Sequence, residues 1–264
     1  MTIPIAIMAV MLLASGAVWC CVLTGRIPRQ IESLPPRDAA PRVNYPALAL
    51  VSYYLFAHLI NLVANFGEPR MPDDVSVEKL QDLVAQNLIL WALIIGLCFL
   101  ITETRHKDYG IHFDKWPRQL AIGGLAFLAS WLPVFLLLLA SSAIRTEETL
   151  HPFLQLLKDD QSGQTLLWIS LAVILTAPLW EEAAYRVILQ TSLARWLPIS
   201  LAIPLTAILF AGVHGWPDMI PLLPLALVLG SVYYYYRSYL AVVTAHALFN
   251  GAMLAMALVN VSGS

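Results

Sequence analysis

The sequence predicts an all-α fold: a polytopic transmembrane bundle of about eight membrane helices with its N-terminus outside. Three observations predict it. Charged residues make up only 12% of the 264 residues, hydrophobic residues 59%, and the mean hydropathy is +0.72. A soluble domain carries about 25% charged residues, because water covers its surface. A chain this poor in charge has lipid as its main solvent. The net charge of −2 singles out no partner. No basic run interleaved with aromatics is present, so no nucleic-acid partner is expected.

A spanning helix needs about 20 apolar residues. Eight candidate runs are found at 3–24, 46–65, 83–101, 119–142, 165–186, 198–214, 218–236 and 240–260. The seventh and eighth are tightly joined, and the seventh reads as spanning or re-entrant. Met1 to Val10 contains no Lys or Arg, so the first run lacks the basic region of a signal peptide and reads as a retained helix. The chain divides into an additional N-terminal helix with a Pro-rich cytoplasmic linker (1–45), a variable set of membrane helices (46–164) and a core (165–260). Pro35, Pro36 and Pro41 keep the linker extended.

Orientation follows from Lys and Arg placement. Eleven of the fifteen basic residues fall in the connections after helices one, three, five and seven: Arg26, Arg29, Arg37, Arg42, Arg105, Lys107, Lys115, Arg118, Arg186, Arg195 and Arg237. The opposite loops carry Asp73, Asp74, Glu78, Glu147, Glu148, Asp159 and Asp160 instead. Both termini are therefore expected outside. Short loops and the lack of a retention signal are expected of a prokaryotic plasma membrane. Cys20, Cys21 and Cys98 all sit in apolar stretches and form neither a disulfide framework nor a zinc-knuckle spacing.

Ionisable groups inside a bilayer are costly, about 2.5–3.5 kcal/mol each at a helix centre, and mark function. Three clusters fall in or at the end of apolar runs. In the first, Glu181 and Glu182 continue directly from Leu171–Leu179. Glu182 and Arg186 are helical i,i+4 neighbours and are expected to pair, whereas Glu181 lies about 100° away and stays available. Pro178 removes a backbone hydrogen bond one turn earlier. In the second, His214 closes the run containing Phe210. In the third, His246 and Asn250 lie one turn apart on one helix face. His58, Asn61 and Asn65 in the second run read as packing or cavity-lining groups. Glu147 and Glu148 lie in a polar loop and receive no role.

A carboxylate beside an imidazole can deprotonate a water molecule, and burial brings a carboxyl group toward the proton affinity a general base needs. An imidazole and a carboxamide can donate to a developing oxyanion, each donor typically worth about 3 kcal/mol. The set therefore describes amide hydrolysis without a covalent intermediate, with Glu181 as base assisted by His214, and His246 with Asn250 as oxyanion hole. The same residues could instead hold zinc through Glu181, His214 and His246, and the residues alone leave both schemes open. No Asp lies in the interior of an apolar run and no His-Glu-x-x-His or Gly-x-Ser-Gly site occurs, which removes the paired-aspartate, zincin and serine alternatives.

Glu181-Glu182-x-x-x-Arg186, Phe210-x-x-x-His214 and His246-x-x-x-Asn250 resemble, in order and spacing, the three motifs of the CPBP family, which contains the CAAX prenyl proteases and the Abi-type bacteriocin-processing or immunity proteins. The stretch Tyr236–Leu240 is similar to the family's lead-in to its last motif. The resemblance covers about 165–260. It implies an intramembrane endopeptidase acting on a membrane-associated protein or peptide, with catalytic residues at Glu181, Glu182, Arg186, His214, His246 and Asn250. Members are described both as metalloproteases and as glutamate-dependent enzymes. Asn250 is a poor zinc ligand and a good hydrogen-bond donor, so no required cofactor is expected, with Zn as the alternative. Val187 stands where the family often has glycine. A non-proteolytic scaffold or immunity protein, or a proton-coupled transporter, are the competing functions.

Overall fold

The computed structural model describes residues 3–24, 42–64, 76–100, 106–144 and 152–262, and every regular element among them is helical. In chain order the α-helices are α1 (Ile3–Leu23), α2 (Tyr45–Ala64), α3 (Val77–Leu100), α4 (Trp116–Ala140), α5 (Pro152–Asp159), α6 (Gly163–Trp196), α7 (Ile199–Gly212), α8 (Met219–Tyr236) and α9 (Tyr239–Ser262). Six described helices are long and apolar enough to cross a membrane: Ala6–Leu23, Val77–Leu100, Trp116–Ala140, Gly163–Trp196, Met219–Tyr236 and Tyr239–Val259. This makes the chain a polytopic helical membrane protein. The 14-residue α7 is apolar but shorter. At 1.5 Å per residue it reaches about 21 Å, against a hydrocarbon core of about 30 Å.

The fifth run differs most from expectation. It extends ten residues past Glu181–Arg186, to Trp196, so Arg186 and Arg195 lie inside α6 rather than in a connection. Arg186 is completely buried. It marks the interior of the bundle, not a membrane edge, and it does not belong in a count of loop cations. At 34 residues α6 is about 50 Å long, well beyond one bilayer core. The Pro35, Pro36 and Pro41 linker, Asn65, Asp73, Asp74, Glu147, Glu148, and the cations Arg26, Arg29, Arg37, Arg70, Arg105 and Arg145 lie outside the described residues.

α4 packs against α1, α8 and α9, while α6 packs against α2, α3, α7 and α9. The core gathers Trp131, Tyr185, Phe210, Leu225, Tyr233 and Phe249 between them. Helix association in lipid relies on close fit rather than on hydrophobic driving force. Gly123 of α4 provides it: a Cβ there would meet the Ala241 carbonyl oxygen and the Thr244 Cβ of α9, each at 2.7 Å.

The start of α9 is fixed by a polar knot. Gly110, at φ +73°, passes so close to Arg237 that a Cβ would lie 2.6 Å from its carbonyl oxygen. The Tyr239 amide donates to the Gly110 carbonyl at 3.0 Å. Ser238 caps α9 by accepting from the Ala241 amide and donates its own hydroxyl to Gln119 Oε1 of α4. These bonds set the register at which α9 delivers His246 and Asn250. At the other side, Asp160 and Ser162 cap α6. The Thr165 hydroxyl and the Ser162 amide both donate to the Asp160 carboxylate and hold its pKa below the usual aspartate range.

Candidate active site

α6 is not a uniform α-helix. Two stretches, Leu171–Thr176 and Ala183–Gln190, are wound as π-helix and flank the short α segment Ala177–Glu182. In the first, the Ala177 amide reaches back five residues to the Ala172 carbonyl. In that register the Val173 carbonyl faces Pro178, which has no N–H to give. The missing donor comes from α9: Asn250 Nδ2 donates to Val173 O at 2.7 Å. The neighbouring Leu179 carbonyl, which accepts from the Ala183 amide, also receives the Tyr239 hydroxyl at 2.5 Å, and Trp91 Nε1 of α3 donates to that hydroxyl at 2.9 Å. Buried backbone groups need partners in lipid. Asn250 of α9 supplies the one missing at Val173.

The two glutamates have different surroundings. Glu182 is completely buried. Its Oε2 lies 3.1 Å from Arg186 Nε, and its Oε1 lies 2.9 Å from His246 Nδ1. The Arg186 guanidinium also lies over the Phe210 ring, 4.8 Å from its centroid. Glu182 thus joins a cation on its own helix to an imidazole on α9. A carboxylate accepts, so Nδ1 of His246 is the donor and the ring turns Nε2 outward. That Nε2 lies 3.8 Å from Glu181 Oε2. The Glu181 side chain keeps 16% of its surface accessible, against 0% for Glu182. One carboxylate is fixed and the other is reachable.

His214 follows the end of α7. Its Nδ1 lies 2.8 Å from the Phe210 carbonyl, an oxygen that can only accept. The bond therefore sets the tautomer, with the lone pair of the neutral ring on Nε2. Phe210 joins the cluster together: its ring centroid is 5.0 Å from that of His214, 5.6 Å from His246 and 5.1 Å from Tyr185. Of the residues expected from sequence, Glu181, Glu182, Arg186 and His246 are in direct contact. His214 joins them through Phe210, and Asn250 lies one turn beyond His246 with its carboxamide bonded to α6.

Three further contributors were given no role by sequence reasoning. Phe210, noted only as the start of its motif, touches both histidines and the arginine. Tyr239, noted only within the lead-in Tyr236–Leu240, bonds the α6 backbone. Tyr54 of α2 packs edge-on against Trp180, with centroids 4.6 Å apart, beside Glu181. Only the position of Phe210, one turn before His214, signalled its role. Among the described residues no three His, Cys, Asp or Glu side chains are grouped as ligands of one metal ion are.

Comparison with known proteins finds one match, over the segment that carries these residues. Residues 163–252 match the family model described as type II CAAX prenyl endopeptidase Rce1-like. This segment is similar to Rce1-like domains. It spans the N-terminus of α6 to the fourth turn of α9 and includes all six expected site residues. It covers about a third of the chain, and α1–α5 lie outside it. No curated protein and no solved structure matched the chain.

Proposed function

We propose that the chain is an intramembrane endopeptidase that hydrolyses a peptide bond of a membrane-associated protein or peptide by a glutamate-activated water. The observation that carries this reading is the pairing of one anchored and one accessible glutamate on either side of His246. Glu181 takes a proton from water, and the resulting hydroxide adds to the carbonyl carbon. The C–N bond then breaks, and the proton held by Glu181 passes to the leaving nitrogen. His214 presents a lone pair on Nε2 and assists the same water. His246 carries the opposite task. With both ring nitrogens protonated, it gives its Nδ1–H to the Glu182 carboxylate. That form donates Nε2–H toward the oxyanion, a contact worth about 3 kcal/mol in the transition state. Asn250 has a second N–H hydrogen beyond the one given to Val173, and it completes the oxyanion hole. The substrate class follows the family: a peptide bond near a lipid-bearing C-terminus, reached laterally from the bilayer.

The test is Glu181→Gln, which keeps shape and removes the base. Membrane proteomics of cells expressing either form should show new protein termini that depend on Glu181, with expression and thermal unfolding unchanged. The expected loss of activity is at least about 10³-fold, in line with removal of an essential general base together with the water it orients. Retained cleavage would favour a scaffold or immunity role. Zinc held by Glu181, His214 and His246 is the alternative chemistry. Chelator-treated protein is expected to keep its activity, and restoration of a lost activity by Zn would overturn the glutamate scheme.

A further inference from the structure

The polar groups of α2 remain unused by the chemistry above. The inward stripe of α2 runs Ala47, Val51, Tyr54, His58, at the 4-3-4 spacing of one helical face. Ala47 and Val51 are buried at 0% and 2% exposure, Tyr54 is half-buried and His58 is exposed. His58 thus lies on the face that α2 turns toward α3 and α6, where that face opens. Ionisable side chains within membrane helices are rare and almost always face the bundle interior or a water-filled cavity. The His58 ring is stacked on Tyr54, with centroids 4.7 Å apart and planes 27° apart. Tyr54 in turn meets Trp180, the residue before Glu181. His58 is within electrostatic reach of both Glu181 and His214, and Tyr54 is within reach of Glu181. Through Tyr54 it is braced beside Trp180, and so it lies on the Glu181 side of α2.

We propose that His58, outside the Rce1-like segment, is a further residue of the site: braced by Tyr54, its imidazole holds the attacking water by hydrogen bond against Glu181 and His214. This rests on the endopeptidase reading for its consequence but not for its geometry. The site then draws on four elements, and α2 supplies a contact that the matched segment lacks.

Two measurements on the full chain in lipid nanodiscs test it. In ¹⁵N-histidine spectra, His58→Gln should shift the ring signals of His214, whereas His106→Gln, on the distant turn His106–Tyr109, should not. Unchanged His214 signals in His58→Gln would overturn the proposal. With a farnesylated CAAX peptide as probe, His58→Leu should lower kcat about 10-fold or more with KM within about 2-fold, the size expected for a lost water-positioning contact. His58→Gln, which keeps a hydrogen-bonding head, should recover most of it. A change in KM alone, or no change, would overturn the proposal. If wild type fails to cleave the probe, or Glu181→Gln cleaves it normally, the endopeptidase reading fails and the spectra alone decide on His58.

Discussion

Two proline breaks in this molecule are mended in the same way, with different consequences. In α4, Pro133 cannot donate to the Ala129 carbonyl one turn back. Trp19 Nε1 of α1 donates to that oxygen at 2.8 Å, and Ser15 Oγ accepts from the Leu132 amide at 3.0 Å. In α6, Pro178 leaves the Val173 carbonyl open, and Asn250 of α9 fills it. Each repair ties a broken helix to a neighbour by a side chain. The α1–α4 seam lies outside the Rce1-like segment and away from the glutamates. The α6–α9 seam uses a residue of the candidate site itself. Architecture and chemistry are therefore separable at the first break and joined at the second.

The largest effect is expected where charge is buried. Glu182→Gln should leave Arg186 and His246 without their anion, and removing one partner of a buried pair costs about 3–5 kcal/mol. A sharp fall in thermal stability with loss of activity is the expected readout, and a stable variant would show that the pair is dispensable. Next comes the second break. Asn250→Ala should lower stability by about 1–2 kcal/mol, the upper range for interhelical hydrogen bonds in membranes, and lower activity as well. Adding Pro178→Ala returns a backbone donor to α6. The double variant should regain stability but not activity, and a thermal-unfolding double-mutant cycle measures that coupling. Additive losses would show that the two positions are independent. The smallest effect is at the first break. Trp19→Phe should cost about 1 kcal/mol or less and leave cleavage unchanged. A change in cleavage would mean that the α1–α4 seam also reaches the site.

Much of the site was legible because it rests on local spacing. The i,i+4 offset of Glu182 and Arg186 required a pair, and the 100° step isolated Glu181. The bonding of Asn250 was not legible. It depends on the π register of residues 171–176, which arises from packing against α3 and α9 and leaves no period in the sequence. The length of α6 was misread for a related reason. Hydropathy treats Arg186 and Gln190 as the end of a span, but both are buried and turned inward. A polar residue that ends a lipid-facing run and one that lines an interior look the same in one dimension. The Rce1-like segment shows this ambiguity at its strongest, since its polar residues face one another.

The π turns of α6 also carry a history. Such a turn holds one residue more than the α-helix around it, the geometric trace of a single inserted codon. Deleting one amino acid between 171 and 176 would rewind the stretch as plain α-helix and leave the glutamates facing α9, because six π residues sweep about the same angle as five α residues. A one-residue insertion in an ancestral plain helix therefore adds the bulge beside Pro178 without turning the acids out of the bundle, and the carbonyl that Asn250 fills is the mark of that step.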